Sequence, residues 1–300
     1  ELGVEHPQEA VVTAPKRSER KPREGKWRRV RSFDELNAEQ QTEIEALEAL
    51  GYLSGSVSRE RGKTITVYRE ADAYNGLNLY ASGHAAEAKL INMKGEELHT
   101  WRAKFHDVWP EHKARPGSSG THHFRRVRAL DNGDLIAIFE GKGILRLDRK
   151  STVMWAKANR AHHDMDLLPN GDLVVLTRTA SVIPRLNNNK PILEDFLVVL
   201  GSDGAEKKRV SVLEALEQSE FSTLWNRAKP PKGDVFHTNT VHVIPEGFEE
   251  VHEAFTAGRV LSSSRSLSLI FVVDLQLGEV VWAYRGDFRK QHDPRLVSGA

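Results

Sequence analysis

The chain has 300 residues, 39% hydrophobic and 28% charged, enough apolar material for a large core. Lys and Arg total 43 against 42 Asp and Glu, so no overall basic field argues for nucleic acid. The absence of cysteine excludes disulfides, thiolate zinc sites and a cysteine nucleophile, and no run approaches the ~18 apolar residues of a membrane span.

Residues 1–31 read as a basic flexible linker. The stretch "APKRSERKPREGKWRRVR" (14–31) holds nine basic and two acidic residues with little to bury. A solvated tail is the plain expectation, and contact with an anionic membrane surface is the alternative. Because the chain opens on Glu1, a signal or anchor removed upstream of residue 1 is also considered. A helical segment is expected over 32–56, opened by an N-cap-like Ser32 and carrying Leu36, Ile44, Leu47 and Leu50 at roughly helical spacing.

From about Thr64 the texture changes to β-branched strands separated by Gly, Asn and Asp turns, and two units alternate. One is a hairpin whose second strand often ends in Trp: 87–101, 143–155, 196–210 and 269–282. The other opens on His and runs into a strand: 122–139, 162–176, 237–247 and 291–300. Together they make a four-stranded module. Successive histidines (123, 163, 237, 292) stand 40, 74 and 55 residues apart, with insertions expected at 180–195, 214–236 and 248–257. The expected fold is all-β: a β-propeller of four-stranded blades over 64–300, in which Trp packs one blade on the next. Four to five blades fit. The last copy stops at Ala300 where its first turn should form, so the natural chain is expected to continue, with six blades when complete.

If the His-headed strand is innermost, His123, His163, His237 and His292 converge on one axis. Strand alternation would then point His162 away from His163. A metal reading is weighed and set aside, since HExxH, H-x-H and a carboxylate-rich cluster are all lacking, and a His-only site built from three blades is unusual. Arg265, in "RVLSSSRSLSLIFVVD" (259–274), offers a planar cation for a tetrahedral oxyanion.

These residues resemble the arylsulfate sulfotransferase family. The similarity lies in the opening "TVYREADAYNGLNLYASGHAAEAKLINMKGEELHTW", in "HHDMDLLPNGDLVVL", "DVFHTNTVHV" and "SSSRSLSLIFVVDLQLGEVVW", and in "FRKQHDPR", taken in order. The resemblance implies a periplasmic or otherwise extracytoplasmic enzyme that moves a sulfuryl group from an aryl sulfate to a phenol, with no cofactor and no metal. It makes His292 the transiently sulfurylated nucleophile and assigns the sulfuryl oxygens to His237 and Arg265. His163 completes the catalytic set, while His123 and Asn239 are placed as substrate-binding. Thr238 stands where the family usually has an apolar residue. The competing expectation is a non-catalytic propeller that binds a sulfated or phosphorylated ligand, or a protein, at the same mouth.

Overall fold

The computed structural model describes residues 30–51, 65–114, 120–225 and 230–297. The chain is all-β in class, and among the described residues its helices lie ahead of the first strand or between strands. Strands β1 (Asn78–Ala81), β2 (Glu87–Ile91) and β3 (Glu97–Arg102) form a first sheet. A second holds β4 (Arg126–Ala129), β5 (Leu135–Phe139), β6 (Gly143–Leu147) and β7 (Val153–Lys157). The third is built of β8 (Ala161–Leu167), β9 (Leu173–Ser181), β10 (Ile192–Leu200) and β11 (Glu206–Ser211), with β12 (Gly233–Asp234) added parallel to β10. The fourth comprises β13 (His242–Val243), β14 (Val260–Ser264), β15 (Leu269–Asp274) and β16 (Glu279–Arg285). Apart from β12, every sheet is an antiparallel meander, and most of the alternating units read from the sequence fall on its successive strand pairs; 237–247 supplies only β13, and 291–297 holds no strand. The first strands lie side by side in the order β1, β4, β8, β13.

Alternation explains why the strands are apolar throughout. In β5 all five residues are buried, yet they serve two cores. Leu135, Ala137 and Phe139 face the first sheet with Ala88, Trp101 and Phe105, whereas Ile136 and Ile138 face the third with Val175 and Val198. The same division recurs in β10, whose Leu197 and Val199 join a core shared with Phe271 and Val273 of the fourth sheet. Successive sheets are therefore sealed by side chains of period two. Trp101 also donates its Nε1–H to the Gly133 carbonyl (3.2 Å) in the turn of the next sheet, and Trp155 does the same to Ser202 (2.9 Å). Trp282 packs instead on Phe255, at a ring-centroid distance of 5.3 Å.

Two copies of a Leu-x-Asn-Gly-Asp turn close the first hairpins of the second and third sheets. In each, Leu130 or Leu168 donates its N–H to the carbonyl of Asp134 or Asp172 (2.8 Å in both), and Asn132 or Asn170 holds the Asp carboxylate.

Of the helical segment expected over 32–56, residues 32–51 are described. Ser32 caps a single 3-10 turn (Phe33–Glu35), and the helix proper, α1, spans Ala38–Glu48 behind an Asn37–Gln40 capping box. Residues 1–29, most of the predicted linker, lie outside the described residues, as do 52–64. Helix α1 docks on the third sheet: Leu36 and Ile44 pack against Ala180, Val182 and Leu193, and Gln40 donates to the carbonyls of Asn188 and Asn189. The insertion expected at 180–195 is narrower in the fold: β9 runs to Ser181 and β10 begins at Ile192, which leaves the loop at 182–191. The insertion at 214–236 holds the rest of α2 (Val212–Gln218), which packs between the third and fourth sheets, and ends in β12.

Candidate active site

Three of the four repeat histidines meet. The ring centroids of His163 and His237 are 5.1 Å apart, with His292 at 6.3 Å from the first and 6.2 Å from the second. One nitrogen from each lies within 4.8 Å of the other two. The fourth histidine, His123, is not brought to this trio. Its ring sits edge-on to His122 at 4.4 Å, in the turn before β4.

Each member is placed differently. His163 lies within β8, where pairing with β9 jumps from Ala161–Thr177 to Met165–Val175, so that three residues stand opposite one. The bulge requires a left-handed backbone at His163 (φ 53°), an unusual state for a residue with a Cβ. Because the bulge breaks alternation, His162 does not point away from its neighbour as expected. The two Nδ1 atoms are 2.9 Å apart. His162 is fully buried, and its Nε2 faces the Asp195 carboxylate at 3.6 Å. The carboxylate of Glu140, directly after β5, accepts the His163 backbone N–H (3.1 Å).

His237 is also left-handed (φ 50°) and stands three residues beyond the end of β12. Asp234 clamps it twice, accepting the backbone N–H at 3.0 Å and facing Nδ1 at 2.6 Å. The pairing of β12 with β10 thus puts a carboxylate behind His237. His292 sits on a strandless segment, exposed, with its Nδ1 on the Lys290 carbonyl at 2.9 Å. This segment is held by side chains. Gln291 donates to Ser263 and to the carbonyls of Ser264 and Leu269, while Asn239 donates to the Gln291 carbonyl (2.9 Å). Asn239 is therefore engaged in fixing His292. The fully buried serines of β14 do the complementary work on the other side. Ser262 and Ser264 donate to the Thr240 and Phe236 carbonyls, both at 2.6 Å, supporting the loop that bears His237.

Burial sets the electrostatics. It pushes His163 well below the usual imidazole range, helped by His162, Arg125, His237 and Arg178, so His163 is neutral at neutral pH. Burial and Arg178 do the same to His162. Asp195 is pushed up to about 7 by burial and by Asp234, against hydrogen bonds from Thr238. Burial also raises Glu140 despite Arg178 and Arg125, the latter 3.5 Å from its carboxylate. The guanidiniums whose fields reach His163 are thus Arg125 and Arg178. Arg265 is tied to the site through its backbone, donating its N–H to the His237 carbonyl (3.3 Å). Gly141 makes room for Arg178. It holds φ 66°, and a Cβ there would run into the guanidinium. Arg178 in turn donates to the Leu50 carbonyl, which links the end of the α1 segment to the floor of the site.

Sequence reasoning thus missed Glu140, Asp195, Asp234, Arg125 and Arg178. For Asp234 a signal existed, in its position three residues ahead of His237.

A family model for arylsulfotransferase (ASST) matches residues 126–300, more than half of the chain and all three histidines of the trio. The chain belongs to the arylsulfotransferase family. No curated protein matches the arylsulfotransferase chain. Among solved structures, it is similar to BamB from Moraxella catarrhalis (TM-score 0.39, 9% identity, 70% of this chain and 47% of that one). It is similar as well to Kuenenia stuttgartiensis hydrazine synthase (TM-score 0.39, 11% identity, 64% and 47%). A third is a protein of unknown function from Bacteroides caccae (TM-score 0.30, 12% identity, 70% and 73%). The chain spans 47% of the length of each of the first two. Among its described residues, no helix is long and apolar enough to cross a membrane.

Proposed function

We propose that the trio transfers a sulfuryl group from an aryl sulfate to a phenol through a covalent sulfuryl-histidine, with His292 as the nucleophile. The observation that carries this reading is the convergence of His163, His237 and His292 from separate parts of an arylsulfotransferase-family chain. We read the sheets as blades of a propeller with their first strands around one axis, and place the protein outside the cytoplasm as the family resemblance implies.

With Nδ1–H donating to the Lys290 carbonyl, the lone pair of His292 falls on Nε2 and faces outward on an exposed residue. Nε2 attacks sulfur. The N–S bond forms, the S–O(aryl) bond breaks, and the electron pair leaves with the aryl oxygen, which takes a proton from His237. Asp234, 2.6 Å from His237 Nδ1, fixes the ring and balances its positive charge while it holds that proton. In the second half-reaction the acceptor phenol gives its proton to His237 and its oxygen attacks sulfur, returning the N–S pair to His292. Charge on the sulfuryl oxygens is met by cations, as in phosphoryl transfer. Arg265 has this role by family resemblance, and Arg125 is a second guanidinium close enough to His163 to share it. Buried, neutral His163 supplies a polar wall to the pocket.

The test uses the full-length protein with a chromogenic aryl sulfate and a phenol acceptor. Expected are ping-pong kinetics, a one-sulfuryl mass adduct on His292 when acceptor is withheld, and no phenol release from His292→Ala. Release equal to that of the variant, with no adduct, overturns the enzyme reading and leaves the ligand-binding module.

A further inference from the structure

The same three imidazoles have a second chemistry. We propose that His163, His237 and His292 form a binding site for a zinc-type divalent transition-metal ion, and that metal and sulfuryl donor exclude one another from the cluster. The exclusion rests on the transferase reading above, whereas the metal site does not.

The ligand set comes first. Three nitrogens lie within 4.8 Å of one another. A tetrahedral ion with bonds of about 2.0–2.1 Å to nitrogen requires ligands roughly 3.4 Å apart. Closing the difference takes a shift of about an ångström, shared among three rings. His292 can supply most of it, since it is exposed and lies on a segment held by side-chain hydrogen bonds instead of a strand ladder.

The partners behind the ligands provide the stronger argument. Imidazoles that bind metal through one nitrogen characteristically anchor the other on a carboxylate, a carbonyl or another fixed acceptor. His237 Nδ1 lies on the Asp234 carboxylate at 2.6 Å, and His292 Nδ1 on the Lys290 carbonyl at 2.9 Å. For His163 the partner is another imidazole: its Nδ1 lies 2.9 Å from His162 Nδ1, and His162 Nε2 approaches the Asp195 carboxylate to 3.6 Å, beyond hydrogen-bond distance. We assign the shared proton to His163 Nδ1, which places the His163 lone pair on Nε2. With Nδ1 engaged in each ring, Nε2 is the atom this proposal assigns to the metal. Two of them are held in left-handed backbone, at φ 53° and 50°, which fixes where their side chains start.

The protein supplies three ligands from separate parts of the fold and leaves the fourth position on the exposed His292 side, where water or an anion binds. Imidazole-only coordination suits zinc, cobalt, nickel or copper over calcium or magnesium, which demand oxygen. A sulfuryl donor approaching His292 Nε2 needs the lone pair that the metal takes, hence the exclusion.

Cobalt(II) alone is the probe, added to full-length protein freed of metal by a chelator. Expected is one equivalent bound, with the visible bands of a tetrahedral site. Each of His163→Ala, His237→Ala and His292→Ala abolishes those bands and weakens binding by about 100-fold or more, and Asp234→Asn weakens it about 10-fold. The exposed His84→Ala is the control and leaves the titration unchanged. No stoichiometric bands, or bands that survive the His237 and His292 changes, overturn the site. Loss on Glu140→Gln with retention in His292→Ala also overturns it, since Glu140, His162 and His163 form the neighbouring buried group. An aryl sulfate is expected to bleach the cobalt bands, and zinc to inhibit phenol release in competition with donor. Zinc-loaded protein with undiminished turnover overturns the exclusion. Cobalt binding without any turnover leaves the metal site standing and sinks the transferase reading.

Discussion

Replacing Asp195 by Asn tests the electrostatics of the layer behind the histidines. Asp195 is fully buried, accepts the Thr238 N–H at 2.8 Å and faces His162, and its carboxyl is pushed up to about 7 from an ordinary 3.8. A raised acid pKa means that the folded state keeps a proton the unfolded chain has already released. Folding stability therefore falls as pH rises through the window from about 4 to about 7, and the penalty is complete above it. About three units at roughly 1.4 kcal/mol each set the full penalty near 4 kcal/mol, of which about 2 to 3 kcal/mol accrues between pH 5 and 8.5. Asparagine is nearly isosteric, its oxygen can accept from Thr238, and it carries no charge to desolvate. Urea unfolding of both proteins across that range is expected to show the wild type losing about 2 to 3 kcal/mol relative to Asp195→Asn as pH rises. A difference that stays flat with pH refutes the idea that this carboxyl is carried into the interior at a cost.

Two more expectations concern packing and orientation. Trp101→Ala removes a side chain only 3% exposed that seals the first sheet on the second and hydrogen-bonds Gly133, and it should cost about 3–5 kcal/mol in denaturant unfolding. Asp234→Asn keeps the shape of the clamp but removes the charge behind His237, and under the proposed mechanism it should lower kcat by roughly 10²-fold or more with little change in KM. A rise in KM with kcat intact would make Asp234 a binding residue instead.

Much of the scaffold is legible in the sequence because its information is local. Period-two apolar runs, the Leu-x-Asn-Gly-Asp turns and the Trp-terminated hairpins each express a rule that acts within a few residues. The repeat then aligns His163, His237 and His292 without knowledge of any contact. What escapes depends on distant partners. Alternation puts His162 and His163 on opposite faces, but a bulge with left-handed backbone turns both into one hydrogen-bonded pair. The Ser-Ser-Arg motif draws attention to Arg265, yet it is the three serines of β14 that hold the neighbouring segments, since β13 is only two residues long and its ladder leaves carbonyls to be met by side chains. Asn239, expected on substrate, is occupied with the Gln291 carbonyl, and His123, expected at the axis, falls before its strand begins and packs on His122. The helical spacing of the amino-terminal segment is realised in α1, but nothing in its pattern announces that the residues after it cap a buried arginine.

The trio draws its members from positions 163, 237 and 292, and no two are joined by a local element. Such a cluster has no existence in a partly assembled chain. It requires the third and fourth sheets to have closed and the strandless segment around His292 to be laid against them, contacts of long sequence separation. Under the proposed mechanism, catalytic competence should lag behind secondary structure during refolding. The appearance of activity would time the closing of the architecture, the last event of folding announced by the first turnover.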